Sequence, residues 1–223
     1  METVSFSLLE LFKLGGVIMW PLLLFSIAAV AISIERAVFI LNHNLDVDDL
    51  SIKVSEYLNA GEYQKAVDYL SSLTKKRMGA RVLLSLIQQS KDGKYICEKR
   101  AERAAETEAV NCINSLENGF NFLVALGSLS PLTGFLGTVT GMIGAFRSIA
   151  EATEVNAQIV ANGIYEALIT TVFGLIIAII AMISHSIFSH IVDKFSFKIE
   201  TSCTNLIAKY SYEQTEGNNE NKA

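Results

Sequence analysis

Apolar residues are distributed along this chain in two ways, as long unbroken runs and as stripes at helical spacing. Three runs are almost free of charge: residues 14–34, 120–146 and 164–188. The first holds 21 residues without a charged side chain, enough helix to cross a hydrocarbon core of ~30 Å. The second is uncharged throughout, and the third carries only Glu166 and His185. The first run is too long for the apolar part of a signal peptide, roughly 7–15 residues, and its flank (Glu2, Glu10, Lys13) is not positive. The pattern predicts an all-α integral membrane protein with three transmembrane helices.

Outside these runs the apolar positions recur at helical spacing. In 48–73, Leu50, Val54, Tyr57 and Leu58 share one helical face; the pattern breaks at Gly61 and resumes with Ala66, Val67 and Leu70. From about Lys94 the chain is rich in helix formers and meets no proline before Pro131, so a helix is expected to run unbroken into the second span. The third span should continue through "SHIVDKFSFKIETSCTNLIAKY", while the terminal "EQTEGNNENKA" has the composition of a disordered tail. The second and third helices would each reach on the order of 70 Å and extend into a cytoplasmic helical bundle. The expected organisation is an N-terminus with the first span (1–41), a cytoplasmic helical segment (42–119), the second span (120–146), a periplasmic connection (147–163), the third span (164–189) and a helical extension with its tail (190–223).

The two later spans are each two-faced. At 100° per residue, Gly127, Gly134, Gly137, Gly141 and Gly144 fall within an arc of about 100°, with Thr138 at one edge and Thr133 and Thr140 at the other. Leu132, Phe135, Leu136, Val139, Met142 and Ile143 take the opposite face. Small residues let membrane helices approach closely, so the glycines predict a packing seam. On the third span Glu166 shares its side with Gly163, Ala167, Thr170, Thr171, Gly174, Ala178, Ala181 and His185. Leu168, Leu175, Ile176, Ile179, Ile180 and Ile183 cover the other, although Ile177 intrudes on the small face. An acid inside a span is a functional candidate, because an unpaired charge in hydrocarbon costs several kcal/mol. The alternative is a wetted first-turn residue stabilising its own helix N-terminus. For the threonines, the alternative to a functional role is a hydroxyl bonded to its own helix backbone.

Composition narrows the chemistry. The chain is 51% hydrophobic with a mean hydropathy of +0.37, and only 18% charged against roughly 25% in soluble domains. Its net charge of −5 and lack of a basic arm argue against nucleic acid. Near the span ends, Arg36, Lys53, Lys99, Arg100, Arg103, Lys194, Lys198 and Lys209 lie on one side and Lys13 and Arg147 on the other. That bias places the C-terminus and 42–119 in the cytoplasm and the N-terminus outside. Cys97, Cys112 and Cys203 form no motif and read as reduced structural residues. His185 and His190 are five apart, which is not the spacing of a helical metal pair, so no metal or cofactor is expected. No Ser/His/Asp set lies at membrane depth, and an enzyme is not indicated. The spans also lack any aspartate or lysine, so a mid-membrane proton carrier would have to come from another chain.

Three segments carry a resemblance: "GGVIMWPLLLFSIAAVAISIERAVFI" (15–40), "SPLTGFLGTVTGMIGAF" (130–146) and "GIYEALITTVFGLIIAIIA" (163–181). They resemble the ExbB/TolQ branch of the MotA/TolQ/ExbB family in motif, order and topology. The resemblance implies a pentameric ring in a bacterial inner membrane. Its second and third spans would line a pore holding an ExbD/TolR-like single-span partner, whose aspartate binds the proton. Proton flow would energise a TonB- or TolA-type protein. The resemblance further implies that Thr138, Glu166 and Thr171 belong to the proton pathway, with Thr170 beside them where alanine is more usual. A flagellar or gliding stator, with the same chemistry but usually four spans, and a passive membrane scaffold are the alternatives.

Overall fold

The uncharged runs are helical, but their helices do not begin or end where the apolar residues do. The computed structural model describes residues 12–91, 95–96, 98–151 and 157–210. Its elements are α1 (Met19–Asn42), α2 (Asp48–Asn59), α3 (Tyr63–Leu73), α4 (Met78–Ile87), β1 (Ser90–Lys91), β2 (Tyr95–Ile96), α5 (Glu98–Glu117), α6 (Phe120–Glu151) and α7 (Ala157–Tyr210). Among the described residues the only strands are those of a two-residue antiparallel ladder, Ser90 opposite Ile96 and Lys91 opposite Tyr95. Three stretches, in α1, α5–α6 and α7, are long and apolar enough to cross a membrane. The expected disordered tail lies outside the described residues.

Three boundaries differ from expectation. The first span starts at Met19 rather than at residue 14, because Gly15 and Gly16 form a turn with Gly16 at φ +66°. The helix leading into the second span is not continuous: α5 stops at Glu117 and α6 starts at Phe120, with Gly119 at φ +88° between them. A residue in the left-handed region ends a helix, and glycine reaches that region without steric cost. Helix-forming composition upstream could not show this interruption. At the third span, α7 starts at Ala157, so Glu166 is in its third turn and not its first. The apolar run measures hydrocarbon thickness, whereas the helix continues as long as backbone hydrogen bonds propagate. At 54 residues α7 is about 81 Å long.

The chain divides into two compact units. One contains the described residues up to Arg36 together with Gly119–Ile187. Here Leu168, Leu175, Ile176, Ile179, Ile180 and Ile183 are exposed, as are Leu132, Phe135, Leu136, Val139 and Ile143, while Ile177 is buried. That outward apolar face suits lipid rather than water.

The other unit contains Ala37–Asn118 and the chain from Phe188 onward. Its core includes the expected Leu50, Val54, Ala66 and Leu70, with Leu83, Leu86, Leu116, Phe195 and Leu206. Gly61, at φ +73°, makes the break between α2 and α3. Helix α4 is not among the expected elements, yet it buries Met78, Gly79, Ala80, Val82, Leu83, Leu86 and Ile87. An apolar helix of ten residues is too short to span a bilayer and suits a core. Ion pairs tie the shell: Arg81 to Glu108 at 2.5 Å, and Lys198 to Asp46 at 3.3 Å and Asp48 at 2.5 Å. Tyr210 donates to the Ser55 carbonyl at 2.9 Å and the Asn59 side chain at 2.7 Å.

Candidate functional site

Helices α6 and α7 approach so closely that backbone meets backbone. A Cβ built on Gly174 would lie 2.5 Å from the Ser130 carbonyl oxygen and 3.2 Å from Gly134 Cα. One on Gly134 would lie 2.8 Å from the Thr170 carbonyl oxygen, and one on Gly137 would collide with the Thr170 side chain. Gly141 is against the Gly163 carbonyl, and Gly127 against Met182. Gly144 differs, since a Cβ there would meet nothing within 4 Å. Five of the six predicted seam glycines, Gly127, Gly134, Gly137, Gly141 and Gly174, therefore sit in the contact. At Gly134 and Gly174 a side chain would meet backbone and prise apart helices that no hydrophobic drive holds together in lipid, whereas at Gly127 the flexible Met182 side chain can shift.

Within this contact the threonines separate. Thr170 is 1% exposed, its hydroxyl 2.8 Å from the Ala167 carbonyl and 3.3 Å from that of Gly134. Thr171 donates across the interface to the same Gly134 carbonyl at 3.1 Å. Thr138 instead donates to the Phe135 carbonyl of its own helix at 2.7 Å, on an exposed side. Among the described residues, none of Thr138, Glu166, Thr170 and Thr171 hydrogen-bonds another. Thr170 and Thr171 thus join α6 to α7, while Thr138 stands apart on an open face. Ser130 Oγ, fully buried beside the Gly174 contact, has no hydrogen-bond partner among the described residues.

Glu166 has a neighbour that the helical wheel could not show. A Cβ on Gly16 would run into its carboxylate, and one on Gly15 would run into Met19 and approach Ile169 Cγ2 to 3.4 Å. The carboxylate therefore packs against the left-handed turn just ahead of α1, near the positive end of that helix. The "GG" pair was visible in the sequence, but its partner lies about 150 residues away. At the other end of the α6–α7 pair, His185 meets the Phe120 ring edge-on at 5.7 Å. In the second unit, burial pushes the Cys112 thiol up to about 11 and the Cys203 thiol up to about 12, as suits inert core thiols. Cys97 lies outside the described residues.

Known proteins share this pattern. A family model described as the MotA/TolQ/ExbB proton channel family matches residues 74–201, more than half of the chain. The chain is 31% identical over 137 residues to the biopolymer transport protein ExbB of Salmonella typhimurium, covering 59% of this chain and 56% of that one. It is 37% identical over 109 residues to the Tol-Pal system protein TolQ of Haemophilus influenzae, covering 49% and 48%. A longer match, 27% identical over 197 residues, joins it to the biopolymer transport protein exbB1 of Vibrio cholerae, covering 87% of this chain and 84% of that one. The chain thus spans about half the length of the first two relatives.

Proposed function

Because the chain belongs to the MotA/TolQ/ExbB proton channel family, we propose that it is the channel and motor subunit of an ion-driven machine in a bacterial inner membrane. A ring of about five copies surrounds the single-span helices of an ExbD/TolR-like partner. The proton gradient drives motion of partner against ring, and a TonB- or TolA-type protein carries that motion to an envelope process. The N-terminus is periplasmic and the C-terminus cytoplasmic.

One observation carries the reading most directly. Glu166 is the only carboxylate in residues 120–146 and 164–188, and apart from His185 near the far end of the third run its companions there are uncharged. Such a group is costly at membrane depth and is retained for function. Thr138 and Thr171 extend the proposed path below it, with Thr170 as the buried neighbour that holds α7 to α6. A hydroxyl whose proton is donated to a carbonyl still accepts from water or a hydronium. The spans have no aspartate or lysine of their own, which leaves the mid-membrane protonation site to the partner helix.

The test is Glu166→Gln in a strain whose gradient-dependent transport or growth requires this protein, with protein levels followed by immunoblot. The expected result is loss or strong reduction of energised activity while the ring and its partner still co-purify, and partial activity for Glu166→Asp. Wild-type activity in the Gln variant would make Glu166 a helix-end anchor and would favour a passive scaffold.

A further inference from the structure

Glu98, Glu102 and Glu106 recur every four residues along α5, which places them on one helical stripe. They overhang a groove of about 540 Å³ formed with the cytoplasmic-side end of α7, where Glu200 stands on the opposite rim. The lining between them is largely apolar and includes Ala105, Ile113, Ile199 and Cys203. Val110, also on the groove, is 49% exposed. A ligand for this surface must bring apolar bulk flanked by positive charge.

The same helix presents such a surface. Lys99, Arg100 and Arg103 are exposed and lie on average about 100° further round α5 than the glutamates. Among the described residues none of the three makes an ion pair, whereas Arg81, Lys65, Arg147 and Lys198 all do. The chain's own residues after Tyr210 carry three glutamates and one lysine, the wrong sign for the groove.

We propose that the groove between α5 and α7 is the docking surface for a second copy of this chain, whose Lys99–Arg100–Arg103 edge seats between the glutamates of the first. The proposal deepens the ring reading above and rests on it. Donor edge and acceptor groove are different patches, so the contact is heterologous, and repeating it with a rotation that closes makes a ring rather than a twofold dimer. The apolar lining supplies area, while the charges select register and exclude the reversed pairing.

The full chain, purified with its membrane segments in detergent, is compared by native mass spectrometry with Glu102→Lys/Glu106→Lys, with Arg100→Glu/Arg103→Glu, and with the four changes combined. Each pair alone is expected to lose the closed ring, and the combination to regain it. A second measurement does not depend on the variants folding. Carbodiimide coupling of wild-type rings assembled from isotopically light and heavy subunits should yield mixed-isotope peptides joining Lys99 to Glu102 or Glu106. Rings unchanged by either reversal, or only same-isotope links, overturn the docking surface while leaving the ring reading intact. A wild-type protein that is monomeric or dimeric overturns both. Glutamate reversals that spare the ring but release a co-purifying protein would give the groove to that protein, and arginine reversals that affect only binding to phosphatidylglycerol vesicles would give the basic edge to lipid. Either result overturns the proposal.

Discussion

Glu166 and the threonines differ in what removing them should cost. Thr170→Val takes a hydroxyl from a buried contact and leaves the Gly134 carbonyl with one donor fewer, so assembly should weaken by about 0.6–2 kcal/mol, the range for hydroxyl bonds between membrane helices. Thr138→Val removes only a bond within its own helix on an exposed face, so folding and ring assembly should be unchanged. Its energised activity should nevertheless fall sharply if the hydroxyl lines a proton path. Thermal unfolding in detergent, paired with the transport assay, separates the two effects; normal transport in Thr138→Val would remove that residue from the path. The glycines make a sharper contrast. Gly174→Ala pushes a methyl against the Ser130 carbonyl, backbone that cannot rotate away, and should cost about 1–3 kcal/mol. Gly144→Ala meets open space and should be tolerated. Equal stability of the two alanine variants would show that the α6–α7 contact is looser than described.

Element ends are where the second unit depends on charge. Lys198 on α7 holds Asp46 and Asp48 in and beside the start of α2, and its ammonium beside Asp46 keeps that carboxyl below its usual range. The hydrogen bond from Lys198 is the larger cause for Asp46; for Lys198 the bonds to Asp48 and then Asp46 raise its own value. Signs follow from linkage. A depressed carboxyl stabilises the fold above its ordinary pKa and loses that contribution as pH falls through its lowered value. A raised lysine stabilises below its ordinary pKa and loses the contribution as pH rises through its higher value. The tie should therefore persist across neutral pH and weaken at both extremes. Lys198→Met should reduce the acid-side loss of thermal stability between neutral pH and the carboxylate range. Added salt should shrink the difference, since the pair is partly exposed. An unchanged acid-side slope in the variant would show that the tie does not hold α7 to the start of α2.

For the whole molecule, the exposed isoleucine and phenylalanine faces of α6 and α7 carry far more apolar surface than one copy in water could leave uncovered. In the proposed ring, lipid and neighbouring copies would share that surface. Native mass spectrometry of the purified chain should give one closed species of about five subunits; a monomer or twofold dimer as the dominant form would reject the ring. The lysine and arginine bias predicts an outward-facing N-terminus, and this is checked separately. A cysteine placed at Ser5 should react with a membrane-impermeant reagent from the periplasmic side, and one placed at Ser211 should not.

Much of this molecule could be read along the chain. Charge-free runs longer than a bilayer is thick mark the spans, and the 3.6-residue period assigns Gly134 and Gly174 to one side and Leu132 and Ile179 to the other. Those properties are local, because an isolated helix already has its faces and its length. Helix α4 could also have been suspected from the apolar density of "MGARVLLSLI", too short to span. The rest required the folded chain. That Thr170 is buried while Thr138 is open depends on which edge of each helix the other covers. The break at Gly119 is a backbone conformation chosen by its surroundings, since glycine is tolerated inside a helix at a cost of about 0.5–1 kcal/mol as well as favoured just past a helix end. The pairing of Glu166 with Gly16 joins positions about 150 residues apart, a contact for which no periodicity exists. Period and composition specify what a helix offers, and long-range packing specifies what meets it.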